Sequence, residues 1–136
     1  MTAHNFATPP PDCSVVQLSF PAPHVMLVTI NREKSMNSIP MRGHWEGEAV
    51  WTWFDDEPSL RVAILTGAGS KAFCAGADLH EVGATRGKGT APQPMPSGSF
   101  LGITRRVGKK PVIAAVNGYA YGGGFEIALN WYDCSV

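Results

Sequence analysis

The sequence predicts an α/β fold, and three features of the 136-residue chain carry that prediction. Short apolar, β-branched runs at 24–30, 62–65 and 111–116 have the length and composition of strands. Between the first two, Met41, Trp45, Ala49 and Trp53 recur every four residues, the spacing of one helix face. Small-residue joints at 75–77 and 122–124 each lead into a further helical segment. Strands that alternate with helices along a chain build a sheet covered by helices.

Residues 1–13, with Pro9, Pro10 and Pro11 in a row, read as a disordered lead-in, and 14–136 as one partial domain. Ser14 to Phe20 alternates apolar and polar side chains, Pro21-Ala22-Pro23 turns the chain, and His24 to Ile30 makes a second strand. Pro40 suits the first turn of a helix that Asp55-Asp56-Glu57-Pro58 ends. Gly43 and Gly47 weaken that helix by about 1 kcal/mol each. Val62 to Leu65 suits a strand buried on both faces, with Ala72 to Ala75 a short one after it. Asp78 and Glu81, three residues apart, form a capping box at a helix start. Gly83 to Ser99 is a mobile surface loop rich in Gly and Pro. Phe100 to Lys109 is expected to be helical, Pro111 to Val116 a buried strand, Asn117-Gly118 a turn and Phe125 to Leu129 a helix. The chain has no internal repeat.

Composition narrows the function. Eleven basic residues balance eleven acidic ones, so neither nucleic acid nor an anionic membrane is the expected partner. Cys13, Cys74 and Cys134 form no CxxC pair and no Cys/His cluster, which argues against a disulfide framework or a metal site and for a reducing, intracellular setting. No apolar run nears the roughly 20 residues of a membrane span. Residues 1–12 resemble neither a secretory signal nor a transit peptide.

Two phosphate-loop motifs fail on context. Gly67-Ala68-Gly69-Ser70-Lys71-Ala72 follows a strand, but Phe73-Cys74-Ala75-Gly76 opens no helix to hold a pyrophosphate. No acid stands about 20 residues on. Gly87-Lys88-Gly89-Thr90 lacks the first glycine of a Walker loop and the hydroxyl residue directly after its lysine.

The chemistry sits in two other stretches, Ala75-Gly76-Ala77-Asp78-Leu79 and Gly122-Gly123-Gly124-Phe125-Glu126. Each puts small residues at a helix N-terminus, where backbone N–H groups and the helix dipole favour an anion. Without side chains, a ligand can approach that backbone closely. One N–H from each loop, if the loops face each other, makes an oxyanion hole in which a donor is worth about 3–4 kcal/mol.

These same stretches resemble signatures of the crotonase, or enoyl-CoA hydratase/isomerase, superfamily. Phe73 to Leu79 is similar to its A-G-A-D-L signature, and Ala114 to Leu129 to its A-A-V-N-G-x-A-x-G-G-G-x-E-L-A-L block. Val28 to Arg32 with Asn37-Ser38 resembles its L-N-R-P…N-A opening, Glu33 standing where proline is usual. Arg61 to Gly67 resembles its V-R-x-x-x-L-T-G strand. The resemblance implies part of a crotonase-type ββα spiral, lacking the carboxy-terminal helical part. It implies that Ala77 and Gly123 donate to the thioester oxygen and that Glu126 is one of two catalytic carboxylates. It further implies that Lys34, Met36, Ala75, Gly76, Ala77, Asp78, Leu79, Gly122 and Gly123 border the CoA thioester. Coenzyme A would be part of the substrate, with no separate cofactor and no metal. A full-length relative would be a homotrimer or hexamer; mitochondrion, peroxisome and cytosol are not separated.

Other residues have plainer readings. Asp78 and Glu81 serve as caps, Cys74 as a small buried hydrophobe and His80 as a surface residue. Trp45, Trp51 and Trp53 read as core or assembly contacts, and Lys109 and Lys110 as a solvated strand entrance. After Leu129 the family continues as A-C-D-I, whereas here Asn130-Trp131-Tyr132-Asp133-Cys134 displaces the acid. The resemblance therefore covers an amino-terminal half, and the second hydratase carboxylate is not matched by Asp133. The expected function is that of an enoyl-CoA hydratase/isomerase-like lyase, with an inactive acyl-CoA-binding or interaction fragment as the alternative.

Overall fold

A computed structural model describes residues 4–89 and 91–131. Strands β1 (Val16–Ala22) and β2 (Val25–Ile30) form an antiparallel hairpin, and β3 (Val62–Gly67) and β5 (Val112–Ala114) continue the sheet in parallel, in the order β1-β2-β3-β5. A second, two-stranded sheet pairs β4 (Ala72–Cys74) with β6 (Tyr119–Ala120) in parallel. Three helices, α1 (Met41–Asp56), α2 (Leu79–Thr85) and α3 (Gly123–Asn130), complete the elements of the described residues, with short 3-10 turns at Glu33–Ser35 and Phe100–Gly102.

Several expectations are corrected. Strand β1 runs through Pro21 and Ala22, and the reversal falls on Pro23-His24, where His24 takes a left-handed φ of 66°. Strand β3 is not buried on both faces: Ala63, Leu65 and Gly67 are buried while Val62, Ile64 and Thr66 are half-buried. In β5, Ile113 is likewise exposed, because it pairs in register with Ile64 on the less covered face of the sheet, and among the described residues β5 is also an edge strand. Its outward Ala114 N–H is nonetheless satisfied by the Trp131 carbonyl at 3.0 Å. No helix spans 100–109. Leu101 and Gly102 take φ of 51° and 63°, which stop the turn after three residues.

Helix α1 buries only part of the face its spacing predicts: Trp53 joins the core, but the buried side is rotated away from the rest. Trp45 and Ala49 face out, and Gly43, Gly47, Val50, Trp51 and Phe54 face in. The two glycines are notches. A Cβ on Gly47 would collide with the Leu101 carbonyl oxygen, and one on Gly43 would stand 2.8 Å from Ile39. The 100–103 segment thus lies directly on the helix, and Trp51 Nε1 donates to the Leu101 carbonyl at 3.0 Å. Phe54, Met26, Leu65, Phe73 and Ile103 join one core, each worth about 1.5–3 kcal/mol of transfer free energy when fully buried.

Residues 4–13, expected to be disordered, carry no regular element but are fastened to the domain. Phe6 packs edge-on against Trp53 at 5.1 Å, Trp53 Nε1 donates to the Thr8 carbonyl, and Ala7 N–H donates to the buried Glu57 carboxylate. Lys110, read as solvated, donates through Nζ to the carbonyls of Phe54 and Glu57 and so closes the C-terminus of α1.

Candidate active site

The geometry of the site begins with two asparagines that fix the loops around it. Asn37, 1% exposed and left-handed at φ 56°, accepts the Arg32 N–H and donates to the carbonyls of Ala68 and Ala72. Asn117 does the same from the opposite side. Its Oδ1 accepts Gly67 N–H at 3.0 Å, and its Nδ2 donates to the Gly67 carbonyl at 2.8 Å. Together they hold the turn between β3 and β4, through the carbonyls of Gly67, Ala68, Gly69 and Ala72.

The 75–78 loop is then held by β-like bonds. Ala75 N–H donates to Met36 O at 3.1 Å, Ile39 N–H to Gly76 O at 2.8 Å, and Asp78 N–H to Ile39 O at 3.0 Å. This alternation leaves the Ala77 N–H without an acceptor among the described residues. The Gly123 N–H, at the start of α3, has none either. The two loops touch, since a Cβ on Gly76 would meet the Tyr121 carbonyl at 3.0 Å and the Gly122 Cα at 3.7 Å. The structure therefore brings both stretches to one place.

The helix ends are not equivalent. At α2, Asp78 Oδ1 accepts from His80 N–H at 3.0 Å and Glu81 N–H at 3.3 Å, so that end is filled from within. Glu81 does not complete a capping box; its Oε2 accepts the Met41 N–H at 2.7 Å and ties α2 to α1. At α3, Gly122 has a φ of 53° and supplies no side-chain cap, so the free helix end is that of α3. Arg32 pairs with Asp78 at 3.1 Å and donates to Ser38 O at 2.6 Å. Burial raises the Asp78 pKa, but the Glu81, Arg32 and His80 hydrogen bonds outweigh it and hold the carboxyl below its usual range.

A cleft of about 700 Å³ opens beside Ala77, walled by Ile39, Met41, Val82, Met95 and Phe100, with Asp78, Glu81, Arg86 and His44 among its polar residues. The Phe100 ring packs directly on Gly123, leaving no room for a Cβ there. Of the residues expected at the site, Ala77 and Asp78 line this cleft. Met36 contributes its carbonyl behind Ala75, while Lys34 and Leu79 are exposed and outside the lining. Glu126 stands one turn into α3 beyond Gly123, exposed and without a side-chain partner among the described residues. Burial pushes the Cys74 thiol up to about 11, so it stays protonated and packs as a hydrophobe. His44 and Phe100 escaped the sequence reading, because neither sits in a motif and their placement depends on the left-handed backbone at Leu101. Among the described residues no group of three His, Cys, Asp or Glu side chains could hold a metal ion, and no helix is long and apolar enough to cross a membrane.

Residues 22–132 match the family model described as enoyl-CoA hydratase/isomerase. A mevalonyl-coenzyme A hydratase of Beauveria bassiana is 52% identical over 131 residues, covering 91% of this chain and 46% of that protein. A carnitinyl-CoA dehydratase of Proteus mirabilis is 47% identical over 107 residues, covering 77% of this chain and 39% of that protein. The solved structure of a carnitinyl-CoA dehydratase from Mycobacterium avium superposes with a TM-score of 0.75 at 36% identity, covering 86% of this chain and 44% of that one. The chain thus spans less than half the length of these relatives.

Proposed function

The chain belongs to the enoyl-CoA hydratase/isomerase family and carries part of the crotonase-type fold, and from that premise we propose that it binds an acyl-CoA thioester and adds or removes water through an enolate. One observation carries the reading: two backbone N–H groups without acceptors among the described residues, Ala77 and Gly123, stand on touching loops, Ala77 in the wall of an apolar cleft and Gly123 against the Phe100 ring that also lines it. The thioester oxygen accepts from both. As the double bond takes up water, a carboxylate draws a proton from the water, its oxygen bonds to the β-carbon, and charge moves to the thioester oxygen. The protonated carboxylate then gives that proton to the α-carbon as the enolate collapses, which restores the carboxylate.

Glu126 is the carboxylate proposed for this proton traffic. It lies three residues beyond Gly123 on the same side of α3, and it has no other partner among the described residues. Asp78 is unsuited to the task, because Oδ1 caps α2 and Oδ2 pairs with Arg32. Hydration of crotonyl-CoA, followed by loss of enoyl-thioester absorbance, is expected to fall about 100-fold in Glu126→Gln. Equal turnover in both proteins removes Glu126 from the reaction. That Glu126 is outside the cleft lining favours a second reading, an acyl-CoA-binding chain without turnover, and calorimetric binding with no hydration would establish it.

A further inference from the structure

The geometry points to Arg32 as a positioning residue for the oxyanion hole: its guanidinium clamps the two backbone segments whose pairing aims the Ala77 N–H. The inference rests on the acyl-CoA reading above and names what keeps one of its two donors in place.

The direction of the Ala77 N–H is set by the peptide units on either side of it. Gly76 O accepts from Ile39 N–H at 2.8 Å, and Asp78 N–H donates to Ile39 O at 3.0 Å. In a parallel pairing of this kind the residue between those two bonds turns its own amide away from the partner. The pairing is one isolated bridge, Ile39 with Ala77, and it continues into no strand. Gly76, directly before it, has a φ of 97° and no side chain to oppose rotation. Two hydrogen bonds beside a glycine hold an amide weakly.

Arg32 adds a second fastening across the same bridge. Nη1 donates to Ser38 O at 2.6 Å and to Ser38 Oγ at 3.3 Å, and Nη2 donates to Asp78 Oδ2 at 3.1 Å. Ser38 precedes Ile39 and Asp78 follows Ala77, so one planar fork holds both sides of the pairing. Both ends of the clamp are themselves anchored. The Arg32 N–H donates to Asn37 Oδ1, and its carbonyl accepts the Ser35 and Asn37 N–H groups, each at 2.9 Å. Asp78 Oδ1 is engaged by the first N–H groups of α2. The paired side chains are only 19% and 13% exposed, so their charge-assisted bonds are shielded from water and keep their direction.

Arg32 does not line the cleft, whereas Ala77 and Asp78 do. Its effect on a bound thioester therefore passes through those two residues. Without the clamp the Ala77 amide swings off the line to the carbonyl oxygen, and a misaligned N–H polarises that oxygen less.

Carbon-13 spectra of carbonyl-labelled crotonyl-CoA, bound to the chain and to its variants, test this. The bound signal comes from folded protein alone, so a loss of stability does not move its position. In the wild type the bound carbonyl is expected downfield of the free ligand, and in Arg32→Leu that displacement is expected to fall to about half, the share of one donor of two. Arg32→Lys keeps a charge facing Asp78 but lacks the fork that also reaches Ser38, and should lie in between. Glu57→Gln removes a buried carboxylate at the opposite end of α1 from Met41, and is expected to keep the full displacement. A full displacement in whichever Arg32 variant folds overturns the inference, and so does an equal loss in Glu57→Gln. If the wild-type chain binds no crotonyl-CoA, or binds it without displacement, the acyl-CoA reading itself fails and this inference falls with it. The wild-type spectrum therefore tells the two failures apart.

Discussion

Gly76 lies against Tyr121, so close that a Cβ on the glycine would stand 3.0 Å from the Tyr121 carbonyl oxygen. Through this contact the loop bearing Ala77 and the loop bearing Gly123 become one site. Gly76 also has a φ of 97°, outside the range of ordinary L residues. Gly76→Ala is therefore expected to cost about 1–3 kcal/mol of stability from backbone strain and to weaken acyl-CoA binding beyond that loss. Urea unfolding and calorimetry of the same variant separate the two effects.

The glycines of the helices should respond oppositely. Gly47 faces the Leu101 carbonyl with no room for a methyl group, so Gly47→Ala is expected to destabilise by about 1–3 kcal/mol through overpacking. Gly83, inside α2, has a helical backbone and nothing within 4 Å of the place an added methyl group would occupy, so Gly83→Ala should stabilise by up to about 1 kcal/mol. Denaturation midpoints of the two variants on either side of wild type would bear this out.

Asn37→Ala removes an amide that satisfies three backbone groups, two of them carbonyls at 2.8 and 3.0 Å. It also places alanine at a φ of 56°. The expected loss is about 2–4 kcal/mol, from orphaned buried groups and strain together. Asn37→Asp turns a carboxylate oxygen toward the same two carbonyls in a buried site, and its urea midpoint at neutral pH should also fall well below wild type.

Acid should weaken the fold through Glu57 and Asp78. For Glu57 burial raises the pKa, but hydrogen bonds from Ser59, Ala7 and Thr8 outweigh it and the net direction is down, as for Asp78. A carboxyl with a folded-state pKa below its unfolded value binds fewer protons when folded. The stability it contributes is complete above the unfolded value, about 4, and is lost as pH falls through the folded one. Urea midpoints measured from pH 7 down to pH 3 are expected to drop below about pH 4, with a shallower drop in Glu57→Gln.

The sequence was informative where the signal is local. The β-branched runs around Val28 and Ile64 marked strands, and Asp78 marked a helix start, since a cap acts on the next three residues. It misled where distant chain decides. Gly43 and Gly47 look like helix breakers, yet they are the contact surface, because the 100–103 segment crosses there. Phe100 to Lys109 looks helical, but Trp51 and His44 hold Leu101 in a left-handed conformation that no local rule anticipates. Glu81 has the spacing of a capping box and instead reaches Met41, forty residues away in sequence. The donor pair at Ala77 and Gly123 was legible as glycine-rich loops before helices. Their meeting depended on Asn37 and Asn117, whose clamps span long loops.

A thioester labelled with carbon-13 at its carbonyl tests the pair of donors most directly. Two N–H groups aimed at the oxygen polarise the C=O bond, so the carbonyl resonance of bound crotonyl-CoA is expected downfield of the free ligand. A bound ligand whose carbonyl resonance does not move would contradict the oxyanion hole assigned to Ala77 and Gly123.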